Sequence, residues 1–368
     1  MRKSSMLIIG IIVMSFNSIY QYSWNAFAPL LSSGFNASLS QISLAFSLFA
    51  IFSTIFQVIG GYIADIYGPK IIGILSSILS SIGFLGTYTS KNLLSFYAFW
   101  SIGSAGEGIL YMIASNLAVK WYYEKRGFAT GLVSFGFGLG ATIANPFIIE
   151  SKSFREPSLI IGIIELILLP ILLYFSDYPK KEISGIRPTK IIVTRKWWLI
   201  YFSYVFSVVP LLSMSSALSF VSHQSEIKIL AILISTFALM SGLGRPIIGF
   251  ISDKLGRFKT LFISICLVII GNILLIINQI FLSAIIIGLF GGALIPLYFS
   301  LVGDLFGTKY STANNGILYT GKAIAGILGG EVFSIILGKG VLLSGIYLLI
   351  SSILSIALLL TSSHYLKS

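Results

Sequence analysis

Residues 61–70 read GYIADIYGPK, and residues 249–259 read GFISDKLGRFK. Gly61, Asp65 and Gly68 recur as Gly249, Asp253 and Gly256, each 188 positions later in a chain of 368. Cations follow in both stretches, Lys70 in the first and Arg257 with Lys259 in the second. An offset close to half the chain length predicts two similar halves. Each stretch closes a long apolar run and so reads as a tight turn at a helix end. Gly68 and Gly256 suit backbone angles that other residues resist, and Gly61 and Gly249 suit close helix approach. Asp65 and Asp253 suit pairing with nearby basic residues or helix N-termini. A pair that makes and breaks acts as a gate, whereas a permanent pair is a static clamp; both require the same fold.

Outward from these turns the chain is apolar: 56% of residues are hydrophobic and only 10% charged, against about 25% charged in soluble domains. The mean hydropathy is +0.96. In water such a surface would aggregate, so lipid is its solvent. A spanning helix needs about 20 mostly apolar residues. Twelve such stretches occur: 6–28, 41–64, 70–89, 92–121, 127–149, 157–175, 197–221, 228–251, 258–278, 281–303, 311–337 and 341–363. The backbone in lipid must satisfy its own hydrogen bonds, which predicts helices. A barrel would need alternation, and runs such as Leu166 to Leu173 show none. The expected fold is an all-α integral membrane protein of twelve helices. It comprises an N-terminal six-helix bundle (1–175), a central loop (176–196) and a C-terminal six-helix bundle (197–368). Arg2 and Lys3 before an apolar run, with Ala26-Phe27-Ala28 beyond it, resemble a signal peptide. The run is too long for one, and it reads as a retained first span.

The net charge of +12 describes topology rather than a nucleic-acid surface, because the basic residues flank spans. Seventeen lysines and arginines lie on the side of the termini and central loop, and five on the other. That makes the first side cytoplasmic, in a multi-pass protein of the cell membrane. Trp121, Trp197 and Trp198 stand at span ends, where an interfacial belt is expected. The single cysteine, Cys266, permits no internal disulfide.

The remaining two cations, Arg245 and Lys322, fall inside spans eight and eleven. A bare cation there costs several kcal/mol, so such groups mark a substrate or ion path; the alternative is a buried pair with Glu107, Glu165 or Glu331. Two mid-membrane cations suit an anion. Arg offers a carboxylate two parallel hydrogen bonds, and Lys offers a point charge.

The Gly-x-x-x-Asp-x-x-Gly-x-Lys/Arg turn in both halves resembles the signature of the major facilitator superfamily. That implies two bundles rocking about a central site. A narrower resemblance, to the oxalate:formate antiporter family, rests on several motifs. They are Gln21-Tyr22-Ser23-Trp24, Lys120-Trp121 with Lys125-Arg126-Gly127, Gly244-Arg245-Pro246, and Asp304-Leu-Phe-Gly307 leading to Gly321-Lys322-Ala323. The resemblance implies that Arg245 and Lys322 bind substrate carboxylates and that Tyr22, Gln57, Tyr111 and Tyr319 line the cavity. Two departures stand out. Gly291-Gly292-Ala293-Leu294-Ile295 replaces a more aromatic wall, and Glu107 stands where the family pattern has small residues. Tyr111 follows Glu107 by four residues and shares its helix face. Glu107 therefore reads either as a proton carrier coupled to substrate or as a fixed counter-ion. Glu331, nine residues after Lys322, lies about 180° round the helix and faces away from it.

The two histidines, His223 and His364, join neither a metal cluster nor a nucleophile–base pair, and no phosphate-binding glycine loop occurs. The chain does not read as an enzyme, and no cofactor or metal is expected. The expected function is secondary active transport of small carboxylates, by exchange or proton symport. The runner-up is proton-driven export of hydrophobic or cationic molecules. The partners are the substrate, protons and the lipid bilayer, with no nucleic acid, and the fold-level expectation is a monomer.

Overall fold

A computed structural model describes residues 3–122, 126–179, 188–222, 226–306 and 311–364. Its regular elements are all helices. The first span is two of them, α1 (Lys3–Tyr22) and α2 (Trp24–Phe35), meeting at a bend at Ser23. Then come α3 (Leu39–Tyr67), α4 (Pro69–Thr89), α5 (Leu93–Trp121), α6 (Arg126–Glu150) and α7 (Arg155–Tyr174). The second half holds α8 (Arg195–Val221), α9 (Ile227–Leu255) and α10 (Arg257–Ile276). Span ten is α11 (Ile280–Ile286), a π-helical turn at Ile287–Gly291, and α12 (Gly292–Phe306). Span eleven is α13 (Ser311–Tyr319), α14 (Gly321–Ile327), a second π-turn at Leu328–Val332, and α15 (Phe333–Leu337). The chain closes with α16 (Val341–His364).

Among the described residues, eleven helical stretches are long and apolar enough to cross a membrane. The twelfth, α5, has 29 residues, about 43 Å of helix. Its run Gly103-Ser104-Ala105-Gly106-Glu107-Gly108 dilutes its hydropathy. Helix starts are capped at the wet ends: Ser38 with Gln41 and Asn92 with Ser95 form reciprocal capping boxes. In the first bundle α5 packs on α3 and α4, and α4 packs on α7; in the second, α16 packs on α8 and α10. The halves meet through α6 on α9, α3 on α14 and α2 on α8.

The repeated turns lie at one end of the bundle, called here the loop end. Gly68 (φ 85°, ψ 164°) and Gly256 (φ 86°, ψ 146°) both occupy backbone space open essentially to glycine alone. The helix-approach expectation holds at only one glycine. A Cβ on Gly61 would come 2.7 Å from Met112 Cγ, but one on Gly249 would meet nothing within 4 Å. The close approach of α9 lies farther from the turn, at Gly242 against the Gly138 backbone and Gly244 against Leu289. Gly249 instead lines a cavity together with Gly131 and Phe135 of α6.

The tryptophan belt also needs one correction. Trp198 is 46% exposed, but Trp197 is 1% exposed and packs edge-on against Phe306. Trp121 donates from Nε1 to the Asp177 carbonyl (2.7 Å), tying α5 to the chain after α7.

Candidate functional site

Arg245 sits on α9, one turn beyond Ser241, and Gly244 beside it lets α9 lie flush on the Leu289 backbone. Its side chain is 5% exposed, and its guanidinium carbon lies 4.8 Å from the Phe137 ring centroid on α6. Its Nε is buried without a hydrogen-bond partner. The Tyr22 hydroxyl shares a short hydrogen bond with Ser241 Oγ. The Tyr22 ring meets Phe137 and Phe237 edge-on, at 5.3 and 5.7 Å.

Lys322 comes from span eleven, just past the helix break at Thr320. The Thr320 hydroxyl is bonded to Tyr201 of α8 (3.0 Å), and Gly321 lies against Tyr204 and Val205. The break sits between Tyr319 and Lys322 and brings them together: Lys322 Nζ donates to the Tyr319 hydroxyl at 3.2 Å. Nζ also lies over the Phe49 ring of α3 (5.1 Å). Tyr319 stacks on Tyr111 (5.7 Å), and Tyr111 meets Phe137 edge-on (5.6 Å). The rings of Tyr22, Phe137, Tyr111 and Tyr319 thus form a continuous wall from one cation to the other.

Glu107 is 1% exposed, with Oε1 lacking a partner. Asn17 Nδ2 holds its backbone carbonyl (3.3 Å), and Ser53 of α3 stands beside its carboxylate. Gln57 is 2% exposed and follows Phe49 and Ser53 at helical spacing, on the same face of α3. The sequence-derived residues Tyr22, Tyr111, Arg245, Tyr319, Lys322 and Glu107 therefore gather in one buried region, with Gln57 one turn toward the loop end.

Of the three carboxylates that could pair with these cations, Glu107 acts on Lys322 through space, whereas Glu165 and Glu331 are bonded elsewhere. No described carboxylate lies within ion-pair distance of Arg245 or Lys322. Glu165 accepts from Ser80 Oγ (3.1 Å) between α4 and α7, inside the first bundle. Glu331, in the second π-turn, accepts from Ser40 Oγ of α3 (2.6 Å); it faces another helix, as its spacing from Lys322 predicts.

A cavity of about 490 Å³ runs from Arg245 along α9, past Gly249 and Asp253, to Arg257. At its loop end Arg257 bonds Asp253 (2.5 Å), lies 3.6 Å from Asp304 and donates to Ser252. Lys70 instead lies over the Tyr174 ring (3.5 Å). The side chains of Asp65 and Arg126 fall outside the described residues, as do all of Lys125 and Gly307. Sequence reasoning missed Phe137, Ser241, Ser53, Phe49 and the contact of Asp304 with Arg257. Phe137 was hidden in a glycine run that reads as packing. Ser241 carried a usable signal, since it precedes Arg245 by one helical turn.

The Major Facilitator Superfamily model matches residues 6–330 and 203–367, together nearly the whole chain. The chain belongs to the Major Facilitator Superfamily. This major facilitator is 41% identical to an uncharacterized 38 kDa protein in the 23S RNA operon of Thermoproteus tenax. The match covers 91% of this chain and 88% of that one. It is 30% identical to the oxalate:formate antiporter of Oxalobacter formigenes, over 88% of this chain and 82% of that one. A solved bacterial homolog of the human lysosomal transporter Spinster, in an inward-facing and occupied conformation, shares the fold. The TM-score is 0.74 at 14% identity, covering 98% of this chain and 97% of that one. As a major facilitator the chain is a transporter of small molecules in a lipid bilayer and not an enzyme.

Proposed function

We propose that this major facilitator carries small organic carboxylate anions by alternating access, through exchange or proton-coupled symport. Arg245 and Lys322 are the anion-binding groups, and Tyr22, Gln57, Tyr111 and Tyr319 line the site. The observation that carries the proposal is the pair of buried cations on one aromatic wall, neither in direct contact with a described carboxylate and with only Glu107 acting on them through space. Two buried cations with one carboxylate between them leave an excess positive charge that is costly to bury, and an anionic substrate offsets that cost. The antiporter among the relatives is named for two carboxylates, which supports the same substrate class. An exporter of cations would gain nothing from this charge balance.

The bundles at 1–175 and 197–368 rock about the site, and Arg257 with Asp253 and Asp304 latches the loop end. That end and both termini face the cytoplasm of a cell-membrane protein. Labelling a cysteine placed at Lys3 from either side of sealed vesicles checks the orientation.

The functional test is uptake of labelled oxalate, formate, lactate, pyruvate, malate and succinate into proteoliposomes, with and without internal counter-substrate. Arg245→Ala and Lys322→Ala are each expected to lower uptake at least 100-fold. Uptake of none of these acids, or full activity in either variant, overturns the carboxylate assignment.

A further inference from the structure

Three ionisable groups share the site: Arg245, Lys322 and Glu107 are 5%, 1% and 1% exposed. Burying charge in an apolar interior is tolerable only when it is compensated, so the loaded site is most stable near neutrality. Lys322 interacts electrostatically with both Glu107 and Arg245. Lys322 is the cation that acts on Glu107; besides burial, the groups that act on Arg245 are Tyr22, Tyr111 and Tyr319. Glu107 is thus allotted to Lys322, and among the described residues no carboxylate acts on Arg245.

From this geometry we infer that Glu107 sets the charge of the anion accepted: it acts as a built-in carboxylate facing Lys322, leaving Arg245 to take a single external carboxylate, so the carrier selects monocarboxylates over dicarboxylates. This rests on the carboxylate assignment above and adds the substrate's charge to it. With Glu107 ionised, the three groups sum to +1, which one monoanion neutralises. A dianion would leave the site at −1. Removing the Glu107 charge makes the site +2, which a dianion neutralises and a monoanion does not.

The other groups around Glu107 leave this balance unchanged. Tyr20 of α1, Tyr111 of α5 and Tyr319 of α13 lie within its electrostatic reach. Phenols with a reference pKa of about 10 are neutral at pH 7. Glu165 of α7 interacts with Glu107, but it is bonded to Ser80 inside the first bundle and acts on neither cation. Ser53 of α3 is neutral. A proton on Glu107 does what a glutamine does there, so dianion uptake by the unmodified protein should rise as pH falls.

The test compares wild type, Glu107→Gln and Glu107→Asp in proteoliposomes, with labelled formate and lactate as monoanions and oxalate as the dianion at pH 7.5 and 5.5, and succinate as a second dianion at pH 7.5. Wild type is expected to favour monoanions at pH 7.5. Glu107→Gln is expected to shift the dianion-to-monoanion ratio at least tenfold toward dianions and to lose the pH response. Glu107→Asp is expected to keep the wild-type preference. If a variant does not turn over, protection of the detergent-purified protein against thermal unfolding by oxalate and by lactate reads the same ratio. A wild type that prefers dianions at pH 7.5, or an unchanged ratio in Glu107→Gln while Arg245→Ala still abolishes uptake, overturns the charge selection and leaves the carboxylate assignment standing. A wild type that neither moves nor is protected by any of the four acids overturns both.

Discussion

At the scale of the residue, the site depends on geometry as well as charge. Phe137 flanks the Arg245 guanidinium, and the Tyr22–Ser241 hydroxyl pair lies one turn away. A planar guanidinium presents two parallel donors to a carboxylate and stacks on aromatic faces, whereas an ammonium does neither equally well. Arg245→Lys keeps the charge and loses the fork. Charge-assisted hydrogen bonds contribute about 1.5–3 kcal/mol each, so KM for the transported acid is expected to rise roughly 10–100-fold with a smaller change in maximal rate. Uptake kinetics in proteoliposomes check this. An unchanged KM would mean that Arg245 acts only through its charge.

At the scale of the element, the informative features are interruptions. Span one breaks at Ser23, beside Tyr22, and span eleven breaks at Thr320, between Tyr319 and Lys322. Both breaks adjoin site residues, and π-turns interrupt spans ten and eleven, a form of irregularity common near functional sites. The two repeated turns differ in what each glycine does. Gly256→Ala puts a side chain at φ 86°, a conformation that costs about 1–3 kcal/mol outside glycine. Gly249→Ala adds a methyl where nothing lies within 4 Å, and in a helix interior alanine is about 0.5–1 kcal/mol better than glycine. Thermal unfolding in detergent is expected to show a lower midpoint for the first and an equal or higher one for the second. If Gly249→Ala is stable but does not transport, α9 packs closely at that position in another state of the cycle.

At the scale of the whole molecule, contacts between the halves gather at the distal end. Asn25 of α2 donates to the Met214 and Ser215 carbonyls of α8 (2.7 and 3.0 Å) and accepts from the Ser219 N–H (3.1 Å). Ser334 Oγ lies 2.6 Å from Ser43 Oγ, near the Ser40–Glu331 bond. The 490 Å³ cavity opens along α9 on the other side of Arg245. Rocking to the opposite state must part this distal seam. Cysteines at Ser43 and Ser334, in a Cys266→Ser background, are close enough to bridge. Oxidation is expected to cut uptake at least tenfold and reductant to restore it. Full activity in the cross-linked protein would show that the seam stays closed throughout the cycle.

The spans, the two-fold repeat and the identities of Arg245, Lys322 and Glu107 were legible in the sequence alone. Each follows from a local pattern: apolar length against bilayer thickness, a motif repeated at half the chain length, or a charge where lipid should be. Only the tertiary structure decided the partners. Glu165 went to Ser80 and Glu331 to Ser40, Arg257 found Asp304, Trp197 was buried, and Gly249 was left in open space. These outcomes depend on how helices far apart in the chain face one another, and local periodicity carries no information about that.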